Sequence, residues 1–459
     1  MYQINFHQPI HIYFIGIGGI SMSGLAEIVK KENFRISGSD MKESPLTQHL
    51  ESLGIQVFIG QRADNLPEDV DAVVYTAAIH EDNPEYAEAI KRNLPMLSRA
   101  EFLGQLMKNY QLPIAVSGTH GKTTTTSMLS HILLQADTDP TLSIGGILKA
   151  IQGNIRVGSN QYFLTEACEY TNSFLSFFPK IGIILNVDAD HLDFFKDLED
   201  IRSSFKKFTE LLPQDGTLII SGDIENLNYF TDTLSCQVIT FGSNKNFNYS
   251  AADISFDELG CPSYTLLRKG QAVDHIALSV TGIHNVYNSL AAIACGDLLG
   301  IDLDTIKKAL LAFSGTERRF EFKGEIGGVT IIDDYAHHPT EIKATLNAAE
   351  NYPHKHLWCV FQPHTYTRTK ALMDDFAEAL ALGENIVLAD IYPARETDNL
   401  GISSQDLAAK LQALGKTCHY FSSFDEIEEF LLENCNSGDL LITMGAGDVV
   451  NIGNHLLGK

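Results

Sequence analysis

One stretch constrains this chain more than any other. The apolar run Leu112-Pro-Ile-Ala-Val116 leads into Ser117-Gly-Thr-His-Gly-Lys-Thr-Thr124 and then into a helical run through Leu134. A glycine-rich turn between strand and helix presents backbone N–H groups and the positive end of the helix dipole, which together cradle an anion. Gly118 and Gly121 let the backbone approach closely, Lys122 is placed to reach β- and γ-phosphate oxygens, and Thr123 to offer its hydroxyl to Mg2+. A full GxxxxGK[ST] pattern needs glycine at 116, where this chain has Val116, so the loop is a shorter variant and a generic motor or GTPase loses weight. Such a unit requires a parallel sheet covered by helices.

The same rhythm occurs before and after it. His11 to Ile15 reads as a strand, followed by glycine punctuation, a helix from Ser21 to Asn33, a strand ending at Asp40 and another at Val70 to Tyr75. After the phosphate loop, strands are predicted at 162–165, 181–185, 217–220 and 238–241, and a hairpin or small sheet over 252–280. A third run begins at Val329, with strands at 329–332, 357–361, 386–389 and 440–443 and helices at 340–349 and 368–382. Ser-Gly-Thr at 314–316 breaks the preceding helix and marks a linker over 313–320. The expected fold class is therefore α/β, with three domains each built on a mainly parallel sheet with helices: N-terminal Rossmann-like, central P-loop ATPase-like, C-terminal Rossmann-like. The boundaries are set at 1–107, 108–316 and 317–459. The length, 459 residues, agrees with about 150 per domain.

The formal charge of −25, with no local basic cluster, argues against a nucleic-acid or anionic membrane partner. No apolar run approaches the roughly 18 residues needed to cross a bilayer, and Met1 to His11 lacks the order of a signal peptide, so a cytoplasmic protein is expected. Seven cysteines without a CxxC or paired spacing read as reduced thiols, with neither disulfides nor zinc.

Polar clusters fall at strand ends, where α/β sheets bind ligands. Glu166 and Glu169 follow one strand, and Asp188, Asp190, His191 and Asp193 follow another. Carboxylate oxygens suit Mg2+ and an imidazole tolerates it or Mn2+, so one carboxylate and one histidine can hold a second ion; a solvated turn is the bland reading. His284, Asn285 and Asn288 open a helical run and can face an adenine or simply cap the helix. Arg318 and Arg319 lie in the second linker, placed either to reach a γ-phosphate on domain closure or to form a surface pair. Gly16, Gly18 and Gly19 follow the first strand, with Asp40 at the end of the next, which is the arithmetic of a diphosphate on a helix start and a ribose on an acid. Any nucleotide diphosphate fits it, NAD or a UDP-sugar included. In the third unit, Asp333-Asp-Tyr-Ala-His-His-Pro339 and Phe361-Gln-Pro-His-Thr-Tyr-Thr-Arg368 both follow apolar strands. Arg368 can fork onto a carboxylate and His337 can orient or deprotonate an amine, whereas His338 reads better as a helix cap. Gly445-Ala-Gly-Asp448 is a further close-approach loop, or a plain turn.

Taken together, Gly16-Ile-Gly-Gly19, the phosphate loop, Asp190-His191-Leu-Asp193, His284-Asn285-x-x-Asn288, Arg318-Arg319-Phe320, Asp333 to Pro339 and Phe361-Gln-Pro-His364 resemble the bacterial Mur ligase family from about residue 10 to 450. Within that family the chain is most similar to the alanine-adding members. The resemblance implies ATP-dependent ligation of L-alanine to the lactyl carboxylate of UDP-N-acetylmuramate through an acyl phosphate, in peptidoglycan precursor synthesis. It implies ATP and Mg2+ as cofactors, with Mn2+ tolerated, and a monomer or a homodimer. By motif, Gly118, Thr119, His120, Gly121, Lys122, Thr123 and Thr124 would hold ATP with His284, Asn285, Asn288, Asp334 and Arg318 or Arg319. Thr123, Glu166 and His191 would hold metal, with Glu169 the alternative to Glu166, because Glu166-Ala-Cys-Glu-Tyr170 differs from the commoner Glu-Ala-Asp-Glu-Ser. Gly16, Gly18, Gly19, Asp40 and Thr76 would meet the sugar nucleotide, and Tyr335, His337 and Arg368 the amino acid. Lys122, His191, His337 and Arg368 form the catalytic set. Many relatives carry arginine where this chain has Thr365, which leaves amino-acid carboxylate recognition to Arg368. The rival readings are a recycling ligase that adds a preformed peptide and, from another class, an NAD-dependent dehydrogenase built on Gly16 to Asp40.

Overall fold

The computed structural model describes residues 2–192 and 194–459; Asp193 of the acidic run lies outside them. Among the described residues the chain builds three sheets of five, ten and six strands. The first is wholly parallel, in the spatial order Gln56–Ile59, Arg35–Asp40, His11–Ile15, Ala72–Tyr75, Met96–Ser98. All five residues of His11–Ile15 are buried, as a strand covered on both faces by helices demands. Strand order reverses between His11–Ile15 and Ala72–Tyr75, so the loops carrying Gly16 and Thr76 flank the crevice of the topological switch point.

The central sheet runs Gln271–Ala277, Pro262–Arg268, Tyr249–Phe256, Gln237–Gly242, Thr217–Ser221, Ile181–Ile184, Leu112–Ser117, Tyr162–Glu166, Thr141–Leu148, Gly153–Arg156. Its middle is parallel and its two ends antiparallel. The predicted hairpin over 252–280 is a three-stranded extension of this sheet from Tyr249 to Ala277. Leu112–Ser117 sits between Tyr162–Glu166 and Ile181–Ile184, which brings the loops after 117, 166 and 184 to one edge.

The third sheet is ordered Glu321–Ile326, Val329–Asp334, Leu440–Met444, Leu357–Phe361, Asn385–Leu388, Thr417–Tyr420, parallel apart from the first strand. Pro339–Glu350 starts with proline at its first position, and the His338 ring caps it by accepting from Thr340 N. The helix predicted over 368–382 is two helices, Tyr366–Ala371 and Met373–Leu380, because Leu372 leaves the helical region.

The first and central units meet at backbone distance. A Cβ on Gly24 would overlap Ile155, and one on Gly104 would overlap the Ser176 carbonyl, so these positions admit only glycine without movement. Lys31 Nζ adds a hydrogen bond to Val157 O at 2.9 Å across the same seam.

Candidate active site

The phosphate loop takes its shape from two glycines and an asparagine. Gly121, with φ +83°, is the N-cap of Lys122–Gln135, and a Cβ there would lie 2.6 Å from Asn288 Oδ1. Asn186, after the neighbouring strand, clamps the turn: its Oδ1 accepts from His120 N at 2.8 Å and its Nδ2 donates to His120 O at 3.0 Å. Lys122 Nζ donates to Gly118 O at 2.6 Å, Thr119 O at 3.0 Å and Glu169 Oε2 at 3.0 Å. Burial works against the ammonium, yet Glu169, Cys168 and Glu166 around it hold its pKa above the ordinary value. Thr123 Oγ1 donates to Glu166 Oε2 at 3.0 Å, and Glu166 also accepts from Gly145 N. Desolvation is the largest influence on Glu166 and raises its pKa against these hydrogen bonds.

His191 lies across from the loop, its Nε2 3.8 Å from Glu169 Oε1 and its ring against Tyr170. The two carboxylates therefore differ in company: Glu166 meets a hydroxyl and an N–H, Glu169 an ammonium and an imidazole.

A cavity of about 670 Å³ opens beside the loop. His120, Gly121, Thr124, His284, Asn285 and Asn288 line it, and Arg319, Asp334 and Glu341 close it from the third unit. Asn285 Nδ2 donates to Thr281 O at 2.7 Å and Asn288 Nδ2 to Asn285 Oδ1 at 2.9 Å, which orients both amides at the helix start. The His284 ring lines this cavity; the surrounding protein and then Arg319 lower its pKa to about 4, so it is neutral. Asp334 Oδ1 accepts from Ala336 N and its Oδ2 from Phe320 N, each at 2.8 Å, and burial pushes its pKa up to about 6. The two linker arginines part company. Arg318, at φ +58°, turns into the third sheet, where Nε donates to Asp333 Oδ2 at 3.0 Å and Nη2 to Gly445 O at 2.7 Å. It is not among the cavity-lining residues, whereas Arg319 is.

Four polar contacts carry the third unit onto the central one. His120 Nδ1 is 3.1 Å from Glu341 Oε1, Thr340 Oγ1 donates to Asp188 Oδ2 at 2.8 Å, His338 Nε2 donates to Ala189 O at 2.9 Å, and Arg368 Nε donates to Asp190 Oδ1 at 3.2 Å. Burial opposes charge on His120, but hydrogen bonds to Asp188 and Glu341 outweigh it and raise the pKa to about 9. Arg368 Nη1 also donates to His364 Nδ1 at 3.1 Å, and the His364 ring stacks on Tyr392. His337 Nδ1 donates to Tyr335 O at 2.9 Å, leaving the Nε2 lone pair free, and burial lowers the pKa of this ring to about 4. Tyr335 holds both linker arginines over its face and meets His337 edge-on.

In the first unit, Gly18 N donates to Asp40 Oδ2 at 2.8 Å, which folds the Gly16–Gly19 loop back on the next strand end. Thr76 faces Gly16 across the crevice. Sequence reasoning missed Asn186, Glu341 and Arg99. Asn186 directly follows a recognised strand and was within its reach; Glu341 meets His120, and Arg99 meets Ser21, only through distant chain.

Comparisons with known proteins agree with this architecture. Residues 11–111 match the Mur ligase family catalytic domain, 116–296 the Mur ligase middle domain, and 318–447 the Mur ligase glutamate ligase domain. The chain belongs to the Mur ligase family. It is 60% identical over 458 residues, all of both chains, to the UDP-N-acetylmuramate–L-alanine ligase of Lachnospira eligens, and 57% identical over the whole of both chains to that of Agathobacter rectalis. Among solved structures, the UDP-N-acetylmuramate–alanine ligase of Thermotoga maritima superposes with a TM-score of 0.80 at 30% identity, covering 98% of each chain. A murein peptide ligase from Psychrobacter arcticus gives 0.71 at 26%, again over 98% of each. Membership of this family sets aside the dehydrogenase reading of the first glycine loop. No helix among the described residues is long and apolar enough to cross a membrane.

Proposed function

We propose that the protein joins L-alanine to the lactyl carboxylate of UDP-N-acetylmuramate, cleaving ATP to ADP and phosphate through an acyl phosphate. The observation that carries this reading is the 60% identity, over the whole of both chains, with the Lachnospira eligens ligase. In it, residues 1–107 hold the sugar nucleotide, 108–316 the ATP and 317–459 the amino acid.

A carboxylate bears no leaving group, so amide formation at neutral pH needs it phosphorylated first. The lactyl carboxylate attacks the γ-phosphorus in line while Lys122, whose ammonium is already secured by the loop carbonyls and Glu169, offsets charge on the transferring oxygens. The loop from Gly118 to Thr124 cradles the phosphates, and His284, Asn285, Asn288, Arg319 and Asp334 surround the rest of the nucleotide. The residues suit a divalent ion: Glu166 is a half-buried carboxylate of raised pKa, with no ammonium or guanidinium in ion-pair contact among the described residues, and it accepts a hydrogen bond from the Thr123 hydroxyl. Thr123, Glu166 and His191 would hold Mg2+, or Mn2+, which when bound neutralises phosphate charge. Glu169 is committed to Lys122, which favours Glu166 as the ligand.

Gly16, Gly18, Gly19, Asp40 and Thr76 hold the sugar nucleotide in the first crevice. Arg368 binds the alanine carboxylate with the part of its fork not used by Asp190 and His364, beside Tyr335. His337 accepts a hydrogen bond from the amine at Nε2 and aims it. With a pKa of about 4 it is too weak a base to deprotonate an ammonium near ~8, so it orients an amine that arrives neutral. The third unit keeps water from the acyl phosphate by closing over it. The need for ATP puts the reaction in the cytoplasm, whether the enzyme works as a monomer or a homodimer.

The test is phosphate release with UDP-N-acetylmuramate and single amino acids. L-alanine is expected to support turnover and a preformed tripeptide not to; the reverse would assign the recycling reaction. Oxygen-18 placed in the lactyl carboxylate is expected in the released phosphate, and its absence would overturn the acyl phosphate.

A further inference from the structure

We propose that Arg99 binds an oxyanion of the sugar nucleotide where the crevice of the first sheet opens toward the phosphate loop. This rests on the sugar-nucleotide reading above and deepens it. Arg99 directly follows the Met96–Ser98 strand and begins the Arg99–Met107 helix, so it stands at the carboxyl edge of the first sheet, beside the strand ending at Tyr75. Open α/β sheets bind ligands at that edge. Its Nη1 donates to Ser21 Oγ at 3.3 Å, and Ser21 lies in the first turn of the helix that follows the Gly16–Gly19 loop. Cys168, between Glu166 and Glu169 in the chain, is close enough to act on its charge. Arg99 thus sits against the helix that leaves the loop assigned to the substrate's diphosphate.

Its electrostatic situation supports the assignment. A guanidinium cannot shed its proton, and desolvating one without a counter-charge is costly. Three other sheltered arginines have one: Arg202 meets Glu199 at 3.5 Å, Arg318 meets Asp333 at 3.0 Å and Arg368 meets Asp190 at 3.2 Å. Among the described residues no carboxylate comes within 4.0 Å of Arg99, and burial lowers its proton affinity. Arg319 likewise has no carboxylate within 4.0 Å among the described residues, and it lines the cavity assigned to the nucleotide. The sugar nucleotide carries two groups of the right chemistry, its diphosphate and its lactyl carboxylate, and a guanidinium forks onto either.

The experiment is calorimetric titration of the full-length wild type, Arg99→Ala and Arg99→Gln with UDP-N-acetylmuramate and with UDP-N-acetylglucosamine, which lacks the lactyl acid, alongside KM values and unfolding temperatures. Both substitutions are expected to weaken UDP-N-acetylmuramate binding by about 10- to 100-fold, the range for losing a charge-assisted hydrogen bond, while KM for ATP stays within about twofold. Equal weakening with UDP-N-acetylglucosamine assigns the diphosphate; unchanged binding of it assigns the carboxylate. Undiminished UDP-N-acetylmuramate affinity in a folded variant overturns the proposal, as does an equal rise in KM for ATP, which marks a structural role. If Arg99→Ala does not fold, Arg99→Gln is judged by the same criteria. A wild type that binds neither sugar nucleotide overturns the underlying reading and this proposal with it.

Discussion

The phosphate loop and the seam between the central and third units both gather buried charge, but they neutralise it differently. Around the loop the partners come from one unit: Lys122 with Glu169, Thr123 with Glu166, Asn186 with the His120 backbone. Across the seam each partner comes from a different unit: His120 with Glu341, Asp188 with Thr340, Asp190 with Arg368. The loop is accordingly organised whether or not the third unit is docked, whereas the seam exists only when it is. In the proposed reaction, chemistry that needs precise phosphate geometry belongs to the first arrangement, and gating belongs to the second.

The difference can be broken at either end. Lys122→Ala removes the loop's cation and is expected to lower kcat roughly a thousandfold with the fold retained, the upper range for deleting one transition-state donor; phosphate release near the wild-type rate would sink the role. Asp190→Ala leaves the Arg368 guanidinium, whose side chain is 11% exposed, without its carboxylate. It is expected to raise KM for alanine about a hundredfold with KM for ATP little changed, and parallel rises in both would place Asp190 in the fold instead. Gly121→Ala forces a side chain into a left-handed position against Asn288 and is expected to weaken ATP binding about tenfold, read by nucleotide titration. The smallest effect is one of pH. His120 titrates near 9 in the folded protein rather than at its ordinary 6.5, so its imidazolium, faced by Glu341, Asp188, Asp190 and His338, stabilises docking fully below about 6.5. That contribution fades as pH rises through 9. Small-angle scattering is expected to show the third unit opening over this range, and His120→Asn is expected to flatten the curve.

What sequence reasoning could read follows the same division. Leu112–Ser117, the glycines and Lys122 are contiguous, and a buried parallel strand leaves an unbroken apolar run, so the fold class and the phosphate loop were legible. The strands Gly153–Arg156 and Glu321–Ile326 were not, because neither is buried along its length and both are edges whose residues mix polar and apolar types. Glu341 looked like an ordinary acid in the first turn of a helix; its role comes from His120, 221 residues away. Arg318 and Arg319 were inseparable as neighbours until the positive φ of Arg318 sent one into the third sheet and left the other facing the cavity. His338, read as a cap, is one, but its other nitrogen also reaches Ala189 across the seam, which no local pattern announces.

The overlap that any side chain on Gly24 or Gly104 would create has a kinetic meaning. With the first two units packed that closely, the proposed reaction has its acceptor acid and its γ-phosphorus mounted on a single frame, their separation preset before either ligand arrives. In that reaction the third unit is the jaw, and it brings the amino acid. The order of events is thereby built into where the molecule can bend: activation belongs to the frame, capture to the jaw.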